Sequence, residues 1–244
     1  MKTCLIVELG LIGYQQAWAL QKRIVAARRA NFLPDVLLLC DHPHVITLGR
    51  NGKREHLLAP DTLLQQMNVE FCPTDRGGDV TYHGPGQIVG YPILQLAEIR
   101  RDVVWYVRQL EEAMIRATQE YGIAAGREPG KTGVWVKTAR GEEKLAAIGV
   151  HLSRWVTSHG FAYNVSTDLR YFDLIVPCGI SGKKVTSLEK LLGRVVERGE
   201  AAGKLARRFG EVLGLEMRST ACGELLARLA EGEQPRSAGL AVPA

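Results

Sequence analysis

The sequence has no apolar run long enough to cross a membrane. Its first residues, MKTCLIVELG, lack the apolar stretch and small-residue cleavage site of a signal peptide. We therefore expect a cytoplasmic protein without a membrane partner. The formal net charge is only +5, and no nucleic-acid-binding motif occurs, so no nucleic-acid partner is expected either.

Cysteine is also scarce, with five residues at 4, 40, 72, 178 and 222. The odd number and irregular spacing argue against a disulfide framework and against paired-cysteine metal sites. Cys40, His42 and His44 alternate, and on a regular strand they would share one face as metal ligands could. Pro43 interrupts that strand, and we expect no metal.

What the sequence does contain is a succession of strand-like and helix-like segments, typical of a mixed α/β or α+β domain. The predicted helices are Tyr14–Arg29, 61–68, 103–121 with Asp102 as its N-cap, and a helical stretch over 185–213. The predicted strands include 3–9, ending at Gly10, and two strands around a polar turn at 139–142. The expected organisation is a catalytic domain over 1–215 and a C-terminal extension over 216–244 whose end is mobile.

Residues 76–87 read RGGDVTYHGPGQ and combine four glycines with one arginine and one histidine. Glycine lets a ligand lie close to the backbone, arginine can fix an anionic or polar group, and histidine can move a proton. The alternative is a pair of tight turns between two strands. The spacing matches neither GxGxxG nor GxxxxGK[ST], so no nucleotide phosphate loop is indicated.

Two further residues are candidates for chemistry. Cys178 lies between Pro177 and Gly179, which could hold its thiol towards a cleft, although free cysteine is often only a small buried side chain. Lys144 follows a charged turn and could be an ordinary surface lysine. A lysine beside a cysteine would stabilise the thiolate if the fold brought the two together.

Three stretches taken together, RGGDVTYHGPGQ, KLAAIGVHL…HGFAYNV and YFDLIVPCGI, strongly resemble the octanoyltransferases of lipoate biosynthesis (lipoyl(octanoyl) transferase, LipB family). The family's loop has the form RGGxxTxHGPGQ, and every fixed position is met. HPHVITLGR resembles the family's HPxxxTxGR stretch. The spacing of Lys144 and Cys178 also fits the family pattern, and the resemblance covers roughly residues 3–213.

The resemblance implies a fold similar to the catalytic domains of biotin protein ligase and lipoate ligase, a mixed β-sheet flanked by helices. It implies transfer of an octanoyl group from octanoyl-acyl carrier protein to a lysine of a lipoyl domain, without a cofactor. The implied acceptors are the lipoyl domains of 2-oxoacid dehydrogenases and the glycine cleavage H protein.

The resemblance also assigns roles to residues. Cys178 becomes the nucleophile that accepts the acyl group, and Lys144 the residue that lowers the pKa of that thiol. Either Lys144 or His83 takes the proton of the acceptor lysine in the second step. Backbone amides of 147–149 or of the glycine loop could stabilise the oxyanion. The implied substrate-binding residues are Arg76, Gly77, Gly78, Asp79, Val80, Thr81, Tyr82, His83, Ala147, Ile148, Gly149, Gly160, Phe161 and Ala162.

Three alternatives stay open from the residues themselves. A lipoate-activating ligase on the same fold would use ATP and need no cysteine nucleophile. A cysteine hydrolase would use Cys178 and His83 and release free octanoate. A non-catalytic module that binds acyl chains or the carrier would tolerate loss of Cys178.

Overall fold

The structure, a computed structural model, describes residues 2–176 and 184–233. Its strands are β1 (Lys2–Leu11), β2 (Asp35–Asp41), β3 (Val45–Leu48), β4 (Glu70–Pro73), β5 (Val80–His83), β6 (Gln87–Ile93), β7 (Ala125–Glu128), β8 (Lys131–Thr138), β9 (Gly141–Ser153), β10 (Val156–Asn164), β11 (Lys184–Val185) and β12 (Leu215–Ser219). Its α-helices are α1 (Tyr14–Arg29), α2 (Asp61–Gln66), α3 (Val103–Gln119), α4 (Leu188–Leu192), α5 (Arg198–Leu213) and α6 (Cys222–Glu233). Short 3-10 helices lie at Arg54–His56, Leu96–Glu98 and Leu169–Leu174.

The strands form one large and one small sheet. The large sheet has the order β12-β1-β2-β6-β10-β9-β8-β7, with β11 beside β9. Strand β1 runs parallel to both of its neighbours and β11 runs parallel to β9, whereas the other pairs in this sheet are antiparallel. The small sheet has the order β4-β3-β5. The predicted fold class, a mixed sheet flanked by helices, is confirmed.

The core lies on both faces of the large sheet. Strand β2 is an almost continuous apolar run because helices cover it on both sides. Leu37 and Leu39 pack in one cluster with α3 and α5, and Leu38 packs in a second cluster with α1 and α6. In the part of the chain that the structure describes, no helix is long and apolar enough to span a membrane.

Two predicted helices are confirmed with their predicted starts. Helix α1 has the predicted bounds, and α3 begins after Asp102, whose carboxylate accepts a hydrogen bond from the backbone N–H of Trp105 at 2.9 Å. This contact satisfies one of the backbone donors that the first turn of a helix leaves without a partner.

Glycine conformation explains two of the predicted boundaries that are wrong. Strand β1 does not end at Gly10 but continues to Leu11, because Gly10 adopts a φ of +65° and accommodates a bulge against β2. The helical stretch predicted over 185–213 is two helices, because Gly193 adopts a φ of +65° and ends α4. After α5, β12 joins the edge of the large sheet beside β1, and α6 packs against α1 and β1.

Candidate active site

A cavity of about 740 Å³ opens where the glycine loop and β5 meet strands β6, β9 and β10. Most of the residues singled out in the sequence line it, although they come from distant parts of the chain. The lining includes Arg76, Gly77, Gly78, Asp79, Val80, Thr81, His83, Lys144, Ala147, Ile148, Gly149, Gly160, Phe161 and Ala162. The fold therefore brings the glycine loop, Lys144 and the two strand segments to one place.

Among the predicted site residues that the structure describes, only Tyr82 is not in this wall. Tyr82 is fully buried in the core of the small sheet, whereas its neighbours Thr81 and His83 line the cavity. Its hydroxyl lies 2.8 Å from Nδ1 of His44. Cys178 falls outside the described residues.

The glycine loop lies directly against β9. The backbone N–H of Gly77 donates to the carbonyl of Val150 at 2.9 Å, so this amide is already paired and is not available to an oxyanion. A Cβ on Gly149 would stand 2.8 Å from the carbonyl oxygen of Gly77. Glycine at position 149 thus allows a backbone approach that a larger residue would prevent.

Arg76 holds this loop from inside. Its side chain is buried, and its guanidinium donates to Thr47, with Nη2 2.7 Å from the backbone oxygen and 2.8 Å from the hydroxyl. Nη1 donates to the carbonyl of Gly77 at 3.1 Å. The arginine that the sequence marks as an anion binder is therefore also the anchor between the glycine loop and β3.

Asp79 connects the loop to the chain that precedes Cys178. Its carboxylate lies 2.5 Å from Nδ1 of His56, and both side chains line the cavity. The backbone N–H of Val176 donates to the carbonyl of His56 at 2.7 Å. The last described residue before position 177 is thus attached to a cavity residue.

Lys144 contacts the chain that follows residues 177–183. It lies on β9 in register with Val185 of β11, and its carbonyl accepts a hydrogen bond from the N–H of Thr186 at 2.9 Å. Its side chain is half-buried in the cavity wall, with Nζ 4.7 Å from the centre of the Trp135 ring. The two ends that flank 177–183 are therefore both anchored at the cavity.

His83 is held as a neutral ring with a defined tautomer. The amide nitrogen of Gln87 donates to the carbonyl of Tyr82 and to Oδ1 of Asn164, which leaves Oε1 of Gln87 as an acceptor. Nδ1 of His83 lies 2.8 Å from that oxygen and must donate to it, so Nε2 carries the lone pair. Burial lowers the pKa of His83 well below its usual value.

His159 is a cavity residue to which the sequence analysis gave no role. It has a φ of +55°, which is uncommon for a residue with a Cβ, and its backbone N–H donates to Oε1 of Gln21 at 2.8 Å. Its Nε2 lies 2.7 Å from the carboxylate of Asp75. Burial lowers the pKa of His159, so the neutral ring donates this hydrogen bond.

The alternating residues Cys40, His42 and His44 do not form one group: Sγ of Cys40 lies 3.6 Å from Nε2 of His42, but His44 is turned away from both. Nδ1 of His42 donates to the carbonyl of Ile12 at 2.7 Å, and its Nε2 accepts from the hydroxyl of Tyr91 at 2.7 Å. His44 points instead to Tyr82. Within 2–176 and 184–233, no group of three or more His, Cys, Asp or Glu side chains is arranged to hold a metal ion.

The other four cysteines lie away from the cavity lining. Cys4, Cys40 and Cys72 are buried, and burial raises the pKa of all three thiols. Cys222 is half-exposed at the start of α6. These four thiols are not placed for chemistry in this cavity.

Comparison with known proteins gives the same assignment over most of the chain. Residues 13–210 match the family model of the lipoyl protein ligase A/B catalytic domain. An octanoyltransferase of Solibacter usitatus is 55% identical over 217 residues, which cover 89% of this chain and 96% of the relative. An octanoyltransferase of Acidobacterium capsulatum is 50% identical over 86% of this chain and 89% of the relative.

Solved structures share the fold at much lower identity. A bi-partite lipoate protein ligase from Thermoplasma acidophilum superposes with a TM-score of 0.74 at 17% identity, over 95% of this chain and 92% of the other. A biotin protein ligase from Aquifex aeolicus gives a TM-score of 0.50 at 15% identity, over 88% of this chain and 70% of the other. Both similarities agree with the fold that the sequence motifs imply.

Proposed function

The chain belongs to the octanoyltransferase family of acyltransferases, and we propose that it moves an octanoyl group from octanoyl-acyl carrier protein to a lysine of a lipoyl domain through a thioester on Cys178. The observation that supports the proposal is that Lys144 and the glycine loop line one cavity. The described residues on either side of 177–183 are hydrogen-bonded to residues of the same cavity. The acceptors would be lipoyl domains of 2-oxoacid dehydrogenases and the glycine cleavage H protein, in the cytoplasm.

In the first step the thiolate of Cys178 attacks the carbonyl carbon of the carrier thioester. A new carbon–sulfur bond forms, the old one breaks, and the carrier thiolate leaves. One thioester replaces another, so the exchange is nearly isoenergetic and needs no ATP. The ammonium of Lys144 would favour the Cys178 thiolate by opposite charge and then give its proton to the departing carrier thiolate.

In the second step the amine of the acceptor lysine attacks the octanoyl thioester and forms an amide, which is more stable than the thioester. The attacking nitrogen must lose a proton, and Lys144 is neutral after the first step. Accepting that proton returns Lys144 to its ammonium form as the Cys178 thiolate leaves, so the protons balance over one cycle. We therefore propose Lys144 rather than His83 as the base.

His83 has a different place in this scheme. A ring whose pKa lies well below the usual value is a weak base, but the lone pair on its Nε2 can accept a hydrogen bond. We propose that His83 orients an N–H group of the incoming lysine. Its Nδ1–H bond to Gln87 fixes the ring for that task.

The octanoyl chain requires an apolar surface beside the reacting carbonyl. Ile148, Val150 and Phe161 line the cavity from β9 and β10, and Val107 of α3 lines it from the side. Each methylene removed from water contributes about 0.8 kcal/mol, so a chain of this length can bind firmly without any polar contact.

The test separates transfer from the two enzymatic alternatives. The full-length protein is mixed with octanoyl-acyl carrier protein and a lipoyl domain without ATP, and separately with octanoate and ATP. We expect octanoyl-lysine only from the carrier, and no octanoate release when the acceptor is omitted. Product that depends on ATP would favour a ligase, and octanoate released at the transfer rate would favour a hydrolase.

A further inference from the structure

Trp135 lies beside the amine of Lys144 in the cavity wall. The Nζ atom of Lys144 is 4.7 Å from the centre of the indole ring, and the residue Trp135 is 5% exposed. An ammonium within about 6 Å of an indole face is attracted by the negative charge of the ring face. We propose that Trp135 is a positioning residue that holds the Lys144 ammonium in place for acyl transfer, an inference that rests on the proposed function.

The position of the ring is set by a bulge in β9, where Leu145 is an extra residue opposite β8. The register between β8 and β9 shifts between Val134 and Trp135, so that Trp135 lies opposite Lys144. Gly133 just before it has a φ of +118°, and a Cβ there would stand 2.4 Å from the carbonyl oxygen of Ala146. Bulges change the direction of side chains at the edges of functional sites, and this one orients the indole relative to Lys144.

A buried glutamate holds β8 in place opposite the bulge. The backbone N–H of Gly133 donates to Oε1 of Glu111 on α3 at 3.0 Å. Oε2 of the same fully buried carboxylate accepts from Arg108 at 2.6 Å and from Arg127 at 3.0 Å. A strand tied to an ion-paired core carboxylate is a rigid support, as the positioning of a reactive group requires.

Lys144 needs such support because of its own chemistry. Its ammonium ends a flexible four-carbon stem and has no fixed direction of its own, unlike the planar fork of an arginine. A second ammonium, on Lys131, lies 5.4 Å from the same ring but also pairs with Glu128 at 3.0 Å. The ring therefore has two cationic neighbours, Lys131 and Lys144.

The experiment changes the charge on the ring face without changing its size. Tryptophan carrying one, two or four ring fluorines is placed at position 135 of the full-length protein, and the single-turnover rate of octanoyl adduct formation is measured. Fluorine withdraws electrons from the ring face and weakens its attraction for a cation. Trp105 is the matched control, because its ring also has a cation, Arg100 at 5.5 Å, but does not line the cavity.

We expect the logarithm of the rate to fall with each fluorine at position 135, to a total of about 5- to 10-fold, and to stay constant for the same series at position 105. Trp135→Leu should be slower still, and Trp135→Phe intermediate. A flat series at position 135, or an equal fall at position 105, would overturn the inference. If the unmodified protein forms no adduct at all, that result contradicts the proposed function and not the role of Trp135, so the two outcomes can be told apart.

Discussion

Gly149 lies where β9 packs against the glycine loop, and its replacement by alanine tests whether the position of that loop controls transfer. The new Cβ would stand 2.8 Å from the carbonyl oxygen of Gly77 and 3.2 Å from Cδ of Arg76. Ordinary van der Waals contact begins at 3.4 Å, so the loop must retreat by 3.4 − 2.8 = 0.6 Å. The retreat also strains the hydrogen bond between Gly77 and Val150.

The consequences for stability and for activity differ in size. Overpacking of this kind costs about 1–3 kcal/mol, and for a chain of this length each kcal/mol lowers the Tm by roughly 2–4 °C. A displacement of about 1 Å in a positioned site can cost about 100-fold in rate. We therefore expect Gly149→Ala to lower the Tm by roughly 2–12 °C and single-turnover transfer by about 10- to 100-fold.

The assay pairs a thermal melt with single-turnover octanoyl transfer at a temperature where both proteins are folded. Gly126→Ala on the edge strand β7 is the matched control, because a Cβ there would meet nothing within 4 Å. It should leave both quantities unchanged. A Gly149→Ala protein that is destabilised as calculated but transfers at the wild-type rate would refute the reasoning.

Three further results are expected. Lys144→Met keeps the apolar stem but removes the charge, so acylation at neutral pH should slow by about 100-fold or more. The loss should be smaller at about pH 9, where a free thiol ionises unaided. The same change at exposed Lys137 should have no effect. Burial lowers the pKa of His83, so below about pH 6.5 the unfolded chain binds a proton that the native chain does not, and the free energy of unfolding decreases as the pH is lowered. His83→Gln should therefore show a shallower fall in Tm between about pH 6.5 and 5, and identical profiles would contradict this assignment. The net charge of +5 should favour an acidic carrier, so added salt should raise the apparent KM for the carrier, whereas a flat response would exclude charge-assisted docking.

Local patterns in the sequence were sufficient for much of the fold. Helices α1 and α3 follow from apolar periodicity and from the Asp102 cap, which are properties of neighbouring residues. Strand pairing was not predictable in the same way. Strands β2 and β3 are separated by only a few residues, yet they belong to different sheets, and β12 pairs with β1 across nearly the whole chain. Such pairings depend on long-range contacts that no short window contains.

The site shows the same division. The glycine loop and Lys144 stood out as motifs, and the structure brings them to one cavity. Trp135 and His159 were missed, because the first reaches Lys144 through strand register and the second depends on an unusual φ within β10. For Arg76 the sequence predicted contact with a ligand but not the hydrogen bonds to Thr47, because these depend on how the glycine loop packs against β3.

The most direct test of the central claim is the intact mass of the full-length protein after mixing with octanoyl-acyl carrier protein and no acceptor. Wild type and Cys178→Ala are compared, with Cys222→Ala as a control because Cys222 is half-exposed and away from the cavity lining. We expect one octanoyl adduct on wild type and on Cys222→Ala, none on Cys178→Ala, and loss of the adduct when a lipoyl domain is added. Transfer to the lipoyl domain by Cys178→Ala at the wild-type rate, without any adduct, would contradict the covalent route.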